Sequence, residues 1–411
     1  MYMGEAALEY LIALMVEGTF LARLTQSLGI SDSLTGIISS FISLGCLFQL
    51  LSLFNRRKTV RRFVAAMSVA NQILFTLLYV IPVTPLRAEI KTAVFVCCLF
   101  AAYFLYYITH PKKIGWLMSL VEDGTRGRFT ATKEIISLAA GIAFTYGMGE
   151  MSDYFKAKGE LNTAFLITAG VLLVLTALHT ATLLLSVEPE EKQEKPQTGA
   201  IRNMMALLGD ETVKKIAVVF LLWNVATGLS TRFYGSFMNG ELQFSLLLSS
   251  VLSSVGSVVR MAFSRPLGRY ADKHSFTSLV KICLFAAVIC FGCVGFVSVS
   301  NGKTVFSLYY VFHGFAMAGI NSSLINLIFD YVPAEQTADA IAVCQAAAGA
   351  AGFLATVGAG FLLDYIQNNG NRIFGVHAYA QQILSIGSAL ICAAAILYVR
   401  KAFRGTEKKR T

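Results

Sequence analysis

Twelve apolar stretches of roughly 20 residues follow one another along this chain, and the second six echo the first six at an offset of 211 residues. The clearest echo sets Ala139-Ala140-Gly141-x3-Thr145-x-Gly147-x-Gly149-x3-Asp153-Tyr154 beside Ala350-Ala351-Gly352-x3-Thr356-x-Gly358-x-Gly360-x3-Asp364-Tyr365, with eight positions matching and no gap. The same offset pairs Ser39, Ser43 and Gly45 with Ser250, Ser254 and Gly256. An apolar helix of about 20 residues crosses a hydrocarbon core of ~30 Å at ~1.5 Å per residue. The spans are placed near 4–26, 34–54, 63–82, 90–110, 129–150, 162–186, 213–237, 242–262, 276–298, 304–328, 338–363 and 379–400. An even number of spans in each half gives the two halves the same orientation. The expected fold is therefore an all-α polytopic membrane protein: two parallel six-helix bundles with pseudo-two-fold symmetry about the membrane normal.

Charge supports this reading. Only 14% of residues are charged, against about 25% in soluble domains. The net charge of +10 is spread unevenly. With alternating spans, 26 of the 34 Lys and Arg residues fall on one side, leaving Arg23, Arg87, Lys91, Lys156, Lys158, Arg232, Lys303 and Arg372 on the other. Basic loops face the cytoplasm, so both termini are expected inside and the protein in the cell membrane. The basic charge then orients the chain in its bilayer and is no nucleic-acid footprint. All eight cysteines fall within spans, where they act as small hydrophobes. Cys290 and Cys293 lack a second ligand pair, so neither a metal nor any other cofactor is expected. The first span is long and carries Glu5, Glu9 and Glu17, unlike a cleavable signal.

The expected domains are an N-terminal bundle (1–186), a cytoplasmic linker (187–212) and a C-terminal bundle with a basic tail (213–411). The linker opens with a charged run between Pro189 and Pro196. It then repeats Ile201, Met204, Met205 and Leu208 at helical spacing, the pattern of a short amphipathic helix on the membrane face. Small residues recur at i+4 in spans 5 and 11, among them Gly141, Gly149, Gly352 and Gly360. Such residues let helices approach closely in lipid, and spans 2, 5, 8 and 11 are expected to form the contact between the halves. All seven prolines read as loop or span-end residues, so discontinuous spans are not expected and glycine must supply any bending.

The segment Pro266-Leu267-Gly268-Arg269-Tyr270-Ala271-Asp272-Lys273 resembles the G-x-x-x-D-[RK] loop of the major facilitator superfamily. With the twelve spans and the 6+6 repeat, the resemblance covers the whole chain. It implies that Gly268, Asp272 and Lys273 form a cytoplasmic gate loop, and that spans 1, 4, 7 and 10 line a central cavity. The corresponding segment Asn55–Arg62 has neither the Gly nor the Asp. Span 4 lacks the Arg, and span 5 the Gly-Pro pair, of the family's drug antiporters.

A charge inside a bilayer costs about 2.5–3.5 kcal/mol on insertion scales, so each one calls for a reason. Glu17 in span 1 is the first candidate for a coupling proton. Arg232 in span 7 is expected to pair with it, to bind an anionic solute, or to reach the outer interface. His313 lies mid-span and titrates near neutrality in general, though a packing role is the commoner fate of such a residue. Tyr103, Tyr106 and Tyr107 in span 4, and Trp223 and Asn224 in span 7, offer aromatic faces and hydrogen bonds to an organic ligand. Glu5 and Glu9, near the inner end of span 1, read as interfacial or inward-cavity residues and not as coupling sites, and Lys133, Glu134 and Arg260 as anchors near the cytoplasmic ends. No phosphate loop and no nucleophile constellation is present, so an enzyme is not expected.

These features point to a monomeric secondary transporter that moves a small organic solute by alternating access, with or without a proton. A transport-inactive sensor or assembly factor on the same scaffold is the alternative from another class, and a multidrug efflux antiporter the alternative within transport. The charge asymmetry predicts the topology directly. In a background stripped of native cysteines, Thr198→Cys should label from inside and Asn369→Cys from outside intact cells. External labelling at Thr198→Cys would overturn it.

Overall fold

In the computed structural model, residues 2–49, 60–121, 126–187, 207, 209–333, 336–373 and 375–404 are described. The charged run of the linker, the stripe Ile201, Met204, Met205 and Leu208, the segment Asn55–Thr59 and the end of the basic tail lie outside them. Span 1 is two helices, α1 (Tyr2–Leu14) and α2 (Gly18–Ser27). Span 2 is α3 (Asp32–Ser39) followed after Ser40 by α4 (Phe41–Phe48). Spans 3 to 6 are α5 (Val60–Val80), α6 (Ala88–Ser119), α7 (Arg126–Ala157) and α8 (Leu161–Leu184). Span 7 comprises α9 (Glu211–Ser230), a 3-10 turn at Thr231–Phe233 and α10 (Tyr234–Asn239). The remaining spans are α11 (Leu246–Lys273), α12 (Phe276–Val294), α13 (Gly302–Tyr331), α14 (Thr337–Asn368) and α15 (Ala380–Ala402). A two-residue antiparallel hairpin, β1 (Arg372–Ile373) and β2 (Val376–His377), joins α14 to α15.

The chain divides into two compact units. Unit 1 holds Met1–Glu194 together with Gly235–Val251; unit 2 holds Lys195–Tyr234 and Leu252–Thr411. In unit 1, α5 packs on α6 and α8, and α1 on α7 and α8. In unit 2, α12 packs on α13 and α15, and α9 on α14 and α15. The same pairing, span by span, builds both units, which is the structural form of the 211-residue echo.

Unit 1 has two apolar layers. The larger contains Ile12, Met15, Phe75, Leu99, Tyr103 and Leu172. The smaller, toward the chain's start, contains Tyr2, Val64, Trp116, Leu117 and Leu183. At the far end of the unit, Asp153 takes up the first amides of α11, from Leu246 N at 3.1 Å and Leu247 N at 2.8 Å, and also meets Arg23 at 3.3 Å. A carboxylate there satisfies helix-end donors and complements the helix dipole.

Three sequence expectations are corrected. Span 1 is discontinuous between Leu14 and Gly18, and Gly18 adopts φ +53, a conformation glycine takes without strain. The break is tolerated because a neighbour answers the opened backbone: the Tyr79 hydroxyl donates to the Met15 carbonyl at 2.5 Å. Second, Pro111 and Pro266 lie inside α6 and α11 and not at their ends. Third, two of the small residues expected to join spans 2, 5, 8 and 11 pack against another span of their own repeat. Gly141 faces Tyr10 and Leu14 of α1, and Gly352 faces Asn224 of α9. Gly149 of span 5 meets the backbone of Leu247 and the Ser250 hydroxyl of span 8, a pairing the sequence led one to expect, and Gly360 is buried. Small residues permit a close crossing, but their spacing does not name the partner.

The crossing of α9 and α14 is the tightest of these. A Cβ on Gly228 would lie 2.5 Å from the Gly352 carbonyl oxygen, and the Thr356 hydroxyl bridges the helices by donating to Gly228 O at 2.7 Å. Gly352→Leu should therefore lower the thermal unfolding midpoint of the purified protein, at a cost of about 1–3 kcal/mol. Gly358→Leu, on the same helix with open space around it, should change little. Equal melting of both variants would refute the close-packing account.

Candidate functional site

A layer of polar and charged side chains separates the two apolar layers of unit 1. α1 supplies Glu5 and Glu9, one turn apart. α6 supplies Lys113, which falls on the helix's buried stripe of Ala102, Thr109, Lys113 and Trp116. α8 supplies His179 from its buried stripe of Leu172, Thr176, His179 and Leu183. α5 supplies Asn71 and Gln72, both buried. Glu5, Lys113 and His179 are at most 2% exposed.

The contacts form a chain. The Lys113 ammonium bonds to Glu9 Oε1 and lies 2.9 Å from Glu5 Oε1. Glu5 Oε1 is also 3.0 Å from His179 Nε2. His179 Nδ1 is 2.9 Å from Gln72 Nε2. Asn71 Nδ2 donates to the Ala102 carbonyl at 2.7 Å and ties α5 to α6 beside the layer. Glu9 differs from Glu5 in being 21% exposed. It opens onto a cleft shared with Ser68, Asn71, Tyr106, His110 and Lys113. The His110 and Tyr106 rings lie 5.0 Å apart along that wall.

Charge accounting defines what this layer can do. Two carboxylates and one ammonium leave it one unit negative when His179 is neutral. A net charge in a water-poor interior is strongly disfavoured, and one further proton would cancel it. The donor atoms of Glu5, Glu9 and His179 lie within 4.8 Å of one another, a spacing a metal ion could use. The Lys113 ammonium already bridges the two carboxylates, so a metal would have to displace it; the arrangement is an ion-pair network.

The residues singled out from sequence are distributed as follows. Glu17 is half-buried at the break in span 1, where it begins α2 without capping it through its side chain. Tyr106 stands within electrostatic reach of both Glu9 and Glu17. Tyr103 packs edge-on against Phe75, and Tyr107 packs edge-on against Tyr106 and covers Gly45. Arg232 lies in the 3-10 turn of span 7, in unit 2. In the same unit, Trp223 is buried in α9 and Asn224 donates to Phe220 O at 3.0 Å. His313 stacks on Tyr309 with ring centroids 5.1 Å apart. Gly268, Asp272 and Lys273, expected in a loop, are in the last turns of α11, with Asp272 and Lys273 exposed.

Lys113 and His179 were not candidates from sequence. Pro111 reads as the end of span 4, which puts Lys113 in a loop. Following the stripe Ala102, Tyr106, Thr109, Lys113 and Trp116 past the proline at helical spacing is the signal that finds it. His179 is signalled as a titratable residue on an otherwise apolar stripe.

Comparison with known proteins agrees with this architecture. None of the curated proteins compared matches this sequence. Among solved structures, a variant of the nucleoside transporter NupG is similar over 98% of both chains, with TM-score 0.76 and 16% identity. A D-xylose-proton symporter is similar over 95% of both chains, with TM-score 0.71 and 14% identity. A bacterial homologue of the lysosomal transporter Spinster covers 98% of this chain and 95% of its own, with TM-score 0.68 and 11% identity. Identities this low establish the fold. The Major Facilitator Superfamily profile matches residues 6–356, and with twelve spans in two repeats the chain belongs to that superfamily of membrane transporters.

Proposed function

We propose that this protein is a proton-coupled secondary transporter of a small polar organic solute, and that Glu9, held by Lys113 against Glu5, is the coupling carboxylate. The observation that carries the reading is the buried set of two carboxylates and one ammonium opening, through Glu9 alone of the two acids, onto a polar cleft. Glu5 is fully enclosed between Lys113 and His179 and anchors the set. Glu9 shares the same ammonium but is reachable, so it is the acid that exchanges its proton. A proton on Glu9 neutralises the layer and frees Lys113 to stay with Glu5. Its departure restores the full Lys113 bridge. Two chemically distinct states, differing by one proton, are what coupling requires.

In this conformation the cleft has room for about one water molecule, and the polar-solute reading rests on its lining, where Ser68, Asn71 and Tyr106 offer hydrogen bonds and a ring face. The nucleoside and pentose cargoes of the structural neighbours fit the same chemistry. The charge asymmetry supports a place in the cell membrane with both termini in the cytoplasm.

The test is uptake into proteoliposomes of the purified full-length protein, screening nucleosides, pentoses and other small polar solutes with and without an imposed pH gradient. The wild type should concentrate its solute only with the gradient. Glu9→Gln should abolish the response to the gradient, by tenfold or more, while counterflow exchange of the solute persists, because the amide keeps the shape of the protonated acid but cannot titrate. Glu17→Gln should keep the gradient response. A wild-type response in Glu9→Gln, or its loss in Glu17→Gln alone, would overturn the assignment and return the role to Glu17.

A further inference from the structure

Gln72 reaches His179 Nδ1 through its amide nitrogen, and its amide oxygen Oε1 is buried without a hydrogen-bond partner. An amide nitrogen donates and cannot accept. Nδ1 therefore accepts, and the ring proton lies on Nε2, directed at Glu5 Oε1. In this arrangement His179 is neutral and its lone pair is covered. The cost is the orphaned Oε1, since a buried carbonyl strongly favours a donor.

Turning the amide by half a revolution would bring Oε1 onto Nδ1. Two acceptors would then face each other unless Nδ1 had gained a proton. With that proton the oxygen is satisfied, the amide nitrogen takes over the position without a partner, the ring is an imidazolium, and its charge lies against Glu5. The layer then consists of two ion pairs, His179 with Glu5 and Lys113 with Glu9, and sums to zero. The same single proton that neutralises the layer on Glu9 thus neutralises it on His179.

The groups around the ring are few. α1 faces it with Glu5 and, beyond Lys113, Glu9. α6 brings Lys113 and His110 to the layer. α7 brings Lys133, which lies over the Tyr2 ring at 4.9 Å. α5 faces the ring with the uncharged Gln72.

We infer that His179 is the second proton-holding position of the charged layer, and that rotation of the Gln72 amide sets whether its ring is neutral or charged. This inference rests on the reading of the layer as a coupling site. Gln72 is a positioning residue: it touches neither solute nor cleft and acts through the imidazole.

The experiment is solid-state NMR of the full-length protein in lipid nanodiscs, labelled with ¹⁵N-histidine. The chain has five histidines, and the His179 resonances are assigned by their disappearance in His179→Gln. The wild type should show the neutral Nε2–H ring at the alkaline end of the pH series and the imidazolium at the acid end. Gln72→Glu supplies an acceptor in either orientation and should raise the imidazolium fraction at the alkaline end at least tenfold. Gln72→Leu supplies neither donor nor acceptor and should lower it at the acid end. Glu9→Gln removes a negative charge from the layer and should lower it at least tenfold at a given pH.

A ring that stays neutral at both ends in the wild type, which needs no variant to fold, would overturn the inference. So would an unchanged spectrum in both Gln72 variants. Failure of the coupling reading is separable: uptake that ignores the gradient, with a ring that still titrates under Gln72 control, would sink coupling and leave the proton-holding pair standing.

Discussion

An ammonium between two carboxylates organises the first half of this molecule. A carboxylate or an ammonium alone in a membrane interior is expensive, and removing one partner of a buried pair typically costs about 3–5 kcal/mol. Lys113 answers both Glu5 and Glu9 at once, and several local choices follow from placing it there. α1 must be helical from Tyr2 onward so that Glu5 and Glu9 stack on one face. α6 must run past Pro111, although proline removes a helix hydrogen bond. α8 must turn a histidine inward among leucines and threonines. The apolar layer of Tyr2, Val64, Trp116, Leu117 and Leu183 then closes one side of the charges, with the Trp116 indole donating to the Val187 carbonyl at 2.9 Å. Closure of this kind strengthens every electrostatic contact beneath it.

The second unit keeps the scaffold without this chemistry. At the 211-residue offset, Glu5 corresponds to Ile216, Glu9 to Phe220 and Lys113 to Leu324. All three are buried apolar residues. The packing devices do recur: Gly141 lets α1 approach α7, and Gly352 lets α9 approach α14. The repeat is thus a repeat of close helix crossings, while the ionisable layer belongs to one unit. This division separates what both units need in order to pack from the ion-pair layer that unit 1 alone carries among the described residues.

How much was legible in the sequence follows the same division. Helix number, the parallel repeat and the family could be read from hydropathy and the Gly141/Gly352 echo, because a bilayer imposes length and apolarity on every span. The site could not, for three physical reasons. Pro111 is a terminator in water-exposed helices, but neighbouring helices in a membrane support the chain on both sides of it. Glu5 and Glu9 lie close to the start of the span, where an acid normally reaches the interface, and only tertiary packing shows that Lys113 covers them. His179 is one polar residue on an apolar stripe, and its meaning depends on Glu5 and Gln72, which are 174 and 107 residues away. Glycine spacing likewise led to the meeting of Gly149 with span 8 but not to the partners of Gly141 and Gly352.

The two carboxylate candidates, Glu9 and Glu17, share a neighbour, and that shapes how the unit is organised. Tyr106 lies within electrostatic reach of both, and Tyr107 beside it covers Gly45 of α4. Both tyrosines belong to α6, the helix that carries Lys113. One element therefore holds the cation of the charged layer, a wall of the cleft and the aromatic face toward the break in span 1. The local sequence of α6 weakens it between these points: the Thr109 hydroxyl bonds back to Leu105 O at 2.7 Å, and Pro111 brings no amide hydrogen. The cation that answers Glu5 and Glu9 and the Tyr106–Tyr107 pair are thus carried on the two sides of one locally weakened stretch of α6.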